Sequence, residues 1–213
     1  MKNLFITLAI LFPFFAQAQF QFGVTSSYNL AASNSAEYLA PLNKQYAYRI
    51  KFEGHSSTKT FGLAARATFD NIFAAVEVAF RETKYQMTVE DFNEGTIMPS
   101  GGTGFTETTS AYHIPVSAGV KFGSMTFALG PYFNYAIDSD SPIEENTDIL
   151  DRERKVSAGF HFDLGYNIGS HVSLFARYEK AFADVGNLHY FNGKKTKLES
   201  GLNYLSIGAS LYL

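Results

Sequence analysis

Eight ionisable side chains invite a chemical reading first: Arg66, Glu77, Arg81, Lys121, His161, Asp163, Arg177 and Glu179. Each stands at a sparse polar position in a stretch whose alternate residues are apolar. Three chemistries suit such a set. The charges could line a pore, pass protons through His161 and the carboxylates, or pair with one another and plug an enclosed space. Which applies depends on the segments that carry them, since paired charges persist in a low-dielectric interior and unpaired ones are costly there.

The stretch TFGLAARATFDNIFAAVEVAF, from Thr60 to Phe80, folds about Asp70-Asn71, two residues that tolerate the positive φ of tight hairpin turns. That turn pairs Phe69 with Ile72, Ala67 with Ala74, Ala65 with Val76, Leu63 with Val78 and Phe61 with Phe80. One face is therefore wholly apolar. The other carries Gly62, Ala64, Thr68 and Ala79, with Arg66 and Glu77 set diagonally within reach of each other. A water-facing sheet surface would be richer in Lys, Glu and Thr, whereas small residues with a few mutually reachable charges suit the crowded inside of a narrow barrel. The apolar face then looks outward into lipid.

Two further hairpins repeat the pattern. In AYHIPVSAGVKFGSMTFALGPYFNYAI the Gly123-Ser124 turn pairs Phe122 with Met125, Val120 with Phe127, Ala118 with Leu129 and Tyr112 with Tyr135. The opposite face holds His113, Pro115, Ser117, Gly119 and Lys121 against Asn134, Tyr132, Gly130, Ala128 and Thr126. In KVSAGFHFDLGYNIGSHVSLFARYEKAF a two-residue turn would break the apolar face. A three-residue Gly169-Ser170-His171 loop restores it and sets Asp163 against Arg177 and His161 against Glu179.

With alternating segments at QFQFGVTSSYNL and NYLSIGASLYL, the count reaches eight strands, all antiparallel. Three connections are short; the other four, residues 31–59, 90–110, 138–154 and 185–200, are long. Short and long alternate, as periplasmic turns and surface loops do in outer-membrane barrels. Segment 45–53, QYAYRIKFE, alternates too, and parity makes it an extension or a small sheet above the membrane instead of a ninth span. On the apolar face Phe61, Phe80, Tyr112, Tyr135, Phe160 and Tyr178 gather toward the long-loop end, and Phe20, Phe69, Phe122 and Tyr166 toward the short-turn end, as two interfacial girdles. Lys180 is the first charge on that face of its strand, placed where it can snorkel.

The chain as a whole agrees. Its 213 residues are 46% hydrophobic with a formal charge of -3, which excludes a general nucleic-acid binder. The N-terminus MKNLFITLAILFPFFAQAQ reads as a secretory signal cleaved after Ala18, leaving one domain over residues 19–213. The chain has no cysteine, so lipidated anchors, disulfides and thiolate chemistry are excluded. Downstream of the signal no apolar run approaches the roughly 20 residues of a spanning helix, whereas a barrel strand needs only about 9–11.

The AQAQ junction, the strand YHIPVSAGVKFG with its Ile-Pro step, the Gly-rich alternating strands and the terminal SIGASLYL resemble the small outer-membrane β-barrel families of Bacteroidetes, including the PorT-like group. The resemblance implies an eight-stranded up-and-down transmembrane barrel in the outer membrane. It implies contact with lipid and lipopolysaccharide, insertion by the barrel-assembly machinery and an envelope protein partner engaged through surface loops. No cofactor and no metal site is expected from the residues. PorT-like proteins are tied to a secretion system, while many relatives have no assigned activity. The terminal Leu213 departs from the Phe or Trp common in barrel-assembly signals.

Remaining candidates each have a plainer reading. His113, Ser110, His189 and Ser57 could supply parts of a lipid-modifying active site near the loops, yet no triad spacing joins them. Asp138, Asp140, Glu144, Glu145 and Asp148 form an acidic loop without EF-hand spacing. Gly101, Gly102 and Gly104 lack the Lys-Ser/Thr of a phosphate-binding loop. Lys194, Lys195 and Lys197 suit either anionic headgroups or a basic turn. The sequence thus favours a non-enzymatic, side-chain-filled barrel with a structural or partner-binding role. A small passive pore, a lipid A-modifying enzyme and a soluble lipocalin-like ligand carrier are the alternatives.

Overall fold

The computed structural model describes residues 18–32, 36–41, 46–93, 103–140, 156–182, 188–191, 194–197 and 203–213. The segment read from the sequence as a secretory signal lies outside the described residues, apart from Ala18. Eleven strands run in order: β1 (Gln19–Ala32), β2 (Ala36–Pro41), β3 (Tyr46–Phe69), β4 (Ile72–Asn93), β5 (Thr103–Phe122), β6 (Met125–Asp140), β7 (Val156–Ile168), β8 (Val172–Ala181), β9 (Leu188–Phe191), β10 (Lys194–Lys197) and β11 (Asn203–Tyr212). Every pairing is antiparallel. Neighbours follow the order β1-β11-β8-β7-β6-β5-β4-β3, and β1 pairs back onto β3 from Gln19↔Thr68 to Asn29↔Thr58, so eight strands close on themselves. Closure removes every sheet edge within the ring, as a lipid-spanning sheet requires.

The three hairpin registers are those the turn chemistry dictates. Phe69↔Ile72, Phe122↔Met125 and Ile168↔Val172 flank the turns, and Asp70, Gly123 and Gly169 take φ of 51°, 60° and 68°. Asn71 is not in the left-handed region; Asp70 alone supplies it at the first turn. Because side chains alternate along a strand, these registers decide both faces at once. Phe20, Phe61, Leu63, Phe80, Leu129, Tyr166 and Ile207 are exposed on the outside, while Thr25, Glu77, Arg81, His113, Tyr132, Arg177 and Glu179 are buried within. All ten aromatics of the two expected girdles face outward. From Phe61 to Phe69 the wall rises about 19–22 Å at the usual strand rise and barrel tilt, most of the apolar band of an outer-membrane barrel.

Among the described residues the strands differ in length. β3, β4 and β5 have 24, 22 and 20 residues, whereas β7, β8 and β11 have 13, 10 and 10. Much of what the sequence suggested as loops 31–59 and 90–110 is therefore continuous strand. The reason is local: alternation persists through YAYRIKF, which pairs with β2 on one side and with β4 on the other. Register shifts at Phe52/Gly54 and His55/Thr58 mark where this extension leaves the barrel wall. Its outward side chains turn polar, with Lys59, Glu82, Lys84 and Gln86 exposed and Lys51 bonded to Glu90 at 2.7 Å.

Two prolines sit inside the wall. Pro115 interrupts the β4–β5 ladder and Pro131 the β5–β6 ladder, each lacking the N–H that its place would donate. Gly130, beside Pro131, lets β6 approach so closely that a Cβ there would collide with the Val116 carbonyl oxygen. Gly130→Ala is expected to destabilise the barrel by about 1–3 kcal/mol, as overpacking does. The check is the urea midpoint at which the fast-migrating unboiled band in SDS is lost; an unchanged midpoint would discard the close-approach account.

Candidate functional site: the ionic interior

Strand parity turns the charges inward, and barrel closure chooses their partners. β4 contributes Glu77 and Arg81; β8, four strands away in either direction round the ring, contributes Arg177 and Glu179. The four form two reciprocal crossbars. Arg177 Nη2 and Nη1 donate to Glu77 Oε1 and Oε2 at 2.7 and 3.2 Å. Arg81 Nη1 and Nη2 donate to Glu179 Oε2 and Oε1, both at 2.8 Å. Each is bidentate, the geometry in which guanidinium and carboxylate satisfy each other most completely. Side-chain exposure is 4% and 0% for Arg81–Glu179, so this pair is a buried one.

Further groups complete the shell. Arg177 also donates from Nε and Nη2 to both oxygens of Asp163 at 2.7 and 2.8 Å, the cross-strand pair that the third hairpin's register requires. His113 donates from Nδ1 to Asn134 Oδ1 at 2.7 Å, and Asn134 Nδ2 donates to Ser157 at 3.1 Å. His113 Nε2 lies 3.0 Å from Glu179 Oε1 but off the hydrogen-bonding direction. Aromatic rings back the guanidinium groups: Arg66 over Tyr212 at 4.2 Å, Arg177 over Phe175 at 5.0 Å and Arg81 over Tyr204 at 5.3 Å.

Two expected pairings are redirected. Arg66 does not take Glu77; it donates to Gln21 Oε1 on β1 at 2.9 and 3.2 Å, because β1 closes against β3 and brings Gln21 opposite. His161 does face Glu179 in register, but Glu179 is held by Arg81, and His161 Nε2 meets Ser117 Oγ at 2.9 Å instead. Lys121 belongs to neither crossbar and sits half-buried at the short-turn rim. His113, Ser117, Asn134, Gln21 and Tyr132 join the interior although the candidate charge set omits them. The signal for them is parity, which already puts His113, Ser117, Asn134 and Tyr132 on the polar face of their hairpin. Gln21 has no such hairpin, and only closure reveals its partner.

Ser117, His161 and Asp163 form the trio that most invites a catalytic reading. A nucleophilic triad needs the imidazole to face the serine with one nitrogen and the carboxylate with the other. Here Nε2 faces both, at 2.9 Å from Ser117 and 3.9 Å from Asp163, while Nδ1 is buried without a hydrogen-bond partner. The arrangement is not that of a nucleophilic triad. On the short-turn side of the Arg177 crossbar lies a cavity of about 40 Å³, lined by Arg66, Phe73, Glu77, Asp163 and Tyr212 among others, room for about two or three waters. Of the other candidates, Ser110 and Asp138 lie opposite each other near the rim and Asp140 ends β6, whereas Glu144, Glu145, Asp148, Gly101 and Gly102 lie outside the described residues. The side chains of Ser57, His189, Lys194, Lys195 and Lys197 also lie outside them. Gly104 stands near the start of β5, not in a phosphate-binding loop.

A closed eight-stranded antiparallel barrel, apolar outside and ionic inside, is a membrane-spanning β-barrel. The chain belongs to the outer membrane protein beta-barrel domain family, whose model matches residues 15–187, and it is a protein of the outer membrane. No curated protein matches the chain. Among solved structures it is similar to the outer membrane protein OprG from Pseudomonas aeruginosa, with a TM-score of 0.52 at 10% identity over 91% of this chain and 95% of that one. The Escherichia coli outer membrane protease OmpT aligns at a TM-score of 0.35 and 9% identity over 92% of this chain and 94% of that one. The NanC porin aligns at 0.30 and 12% over 91% and 99%. At such identities the likeness to OprG concerns the fold, and the two weaker alignments carry no argument.

Removing one partner of a crossbar strands a buried charge. Arg177→Ala, which orphans Glu77 and Asp163 together, is expected to cost about 3–5 kcal/mol of unfolding free energy. For the other crossbar, a double-mutant cycle of Arg81→Met and Glu179→Leu should show strong coupling, with the double variant more stable than either single one. Urea titrations in detergent measure both, and additive losses would remove the crossbars from the stability account.

Proposed function

We propose that this protein is a non-conducting outer-membrane anchor with a structural or partner-binding role, presenting the β3–β4–β5 extension and its surface loops to another component of the envelope. The observation that carries this reading is the pair of Arg–Glu crossbars between β4 and β8. An eight-stranded barrel leaves only enough interior for side chains, and here both bridges span that interior at its full width. Their side chains are nearly inaccessible, so an ion entering the lumen would have to displace a bidentate pair.

A non-catalytic role is supported by the His161 geometry, in which one nitrogen serves both neighbours. The finer kinship with small Bacteroidetes barrels, the PorT-like group among them, is part of the same proposal and rests on the stretches YHIPVSAGVKFG and SIGASLYL. Envelope protein, lipopolysaccharide and, during insertion, the barrel-assembly machinery are its proposed partners.

Planar-bilayer recording of the purified folded protein tests the closed lumen. The expected trace has no steady open level at either polarity. A reproducible unitary conductance would replace this reading by that of a small passive pore.

A further inference from the structure

Hydrogen-bonded neighbours in a barrel form rows that descend as they pass from strand to strand, because the strands lean by roughly 35–45° from the axis. One such row on the outer wall runs Lys59↔Tyr28↔Ile207↔Ala176↔Leu164, across β3, β1, β11, β8 and β7. It begins with Lys59, far up β3 from the turn at Asp70, and ends with Leu164, close to the turn at Gly169. The row below it runs Phe61↔Ser26↔Ala209↔Leu174↔Tyr166. All of these side chains belong to the outward face of their strands.

Small residues make the middle of the two rows a trough. Ser26, Ala209 and Ala176 are short where Tyr28, Ile207, Leu174 and Tyr166 stand as banks. Two surface depressions, of about 720 and 490 Å³, share Ser26, Tyr28 and Ile207 and so join end to end. The lower is lined mainly by aliphatic and aromatic groups; the upper ends at Lys59 and Glu82 above Phe61 and Phe80. Glu82, directly opposite Lys59, makes its ion pair with Lys84 at 3.6 Å, so the rim carries two ammonium groups to one carboxylate.

Four strand-to-strand steps from Lys59 to Leu164 cover about 19 Å, which at that lean descends about 12 Å. This is most of one leaflet of a hydrocarbon core about 30 Å thick. An apolar trough of that depth, cationic only at its outer end, matches one acyl chain hung from an anionic headgroup.

We propose that this trough is a binding site for a phosphorylated, acylated glycolipid of the outer leaflet, a lipid A-type molecule, with a phosphate on Lys59 and an acyl chain along Ser26, Ala209 and Ala176. The long-loop end faces the cell exterior in an outer-membrane barrel, which selects the outer leaflet and therefore its phosphorylated glycolipid over an inner-leaflet phospholipid. The inference rests on the outer-membrane placement and deepens the lipopolysaccharide contact proposed above. It is independent of whether the lumen conducts.

The test uses the purified full-length folded barrel in a nonionic detergent, with bisphosphorylated lipid A as the probe. Dephosphorylated lipid A, phosphatidylglycerol and phosphatidylcholine are the comparisons, and retained lipid per barrel is read by native mass spectrometry. Bisphosphorylated lipid A should be retained best. Lys59→Gln should weaken its retention about fivefold, the worth of one interfacial lysine near an anionic surface. Ala209→Leu should also weaken it by filling the trough, whereas Ala74→Leu, an outward small residue on β4 away from the trough, should not. The fast-migrating unboiled band verifies folding; if Ala209→Leu lacks that band, Ala176→Leu makes the same test. Equal retention of phosphatidylglycerol would overturn the glycolipid assignment, and equal retention of phosphatidylcholine would reduce the trough to ordinary lipid contact. Wild-type retention by folded Lys59→Gln and trough-filling variants would overturn the site itself.

Discussion

The rest of the structure depends on the meeting of β4 and β8 across the lumen. Two arginine–glutamate bridges of opposite sense join them, Arg177 to Glu77 and Arg81 to Glu179. A buried ion pair is a weak source of stability in itself, since desolvation offsets most of the attraction, but a broken one is strongly destabilising. The consequence here is geometric. A barrel that opened or added a strand would separate Glu77, Arg81 and Glu179 from their partners, leaving Arg177 only Asp163 of its own hairpin, so the crossbars penalise the alternatives more than they reward the native state. Asp163 takes further donors of Arg177, His113 and Asn134 bond each other, and an aromatic ring lies beside each guanidinium.

That interior explains the composition of both faces. The lumen is filled by the crossbars and by buried rings such as Tyr132, His113 and Tyr204, so small residues such as Ala64, Ala79 and Ala128 fill the positions between them and Gly130 meets a neighbouring carbonyl. The outside has the opposite constraint. With lipid as solvent it carries no charge between its aromatic girdles, and charges return at Lys59, Glu82, Lys84 and Lys180 where the strands leave the hydrocarbon. Above that line β3, β4 and β5 continue further than the described parts of β7, β8 and β11 do. The bridged interior, the projecting strands and the apolar outer face are thus three chemically distinct surfaces.

Reading the chain without its structure recovers much of this. The apolar alternation around Asp70-Asn71 fixes the pairs of β3 with β4, and replacing a two-residue turn by Gly169-Ser170-His171 fixes Asp163 against Arg177. The reading stops where contacts become non-local. Arg66 is a case in point: its nearest carboxylate in the hairpin is Glu77, yet its partner is Gln21, on a strand far away in sequence. The extension of β3 and β4 is another, because an alternating segment following a membrane strand looks the same whether it forms a separate small sheet or lengthens the wall.

What the amino-acid sequence determined by itself, then, is everything with period two and everything set by a turn: which residues share a face, which hairpin partners meet, and that the apolar side is the outer one. These follow from the pleat and from the φ preferences of Asp and Gly, which act within a few residues. The tertiary structure alone decided the closure of β1 onto β3 and β11, the pairing of β4 with β8 across the lumen, and the oblique row from Lys59 to Leu164. Those depend on how many strands close the ring and how far they are staggered, so pairs such as Arg81 with Glu179, 98 positions apart, and Ser210 with Thr25, 185 apart, meet only once the whole barrel has formed.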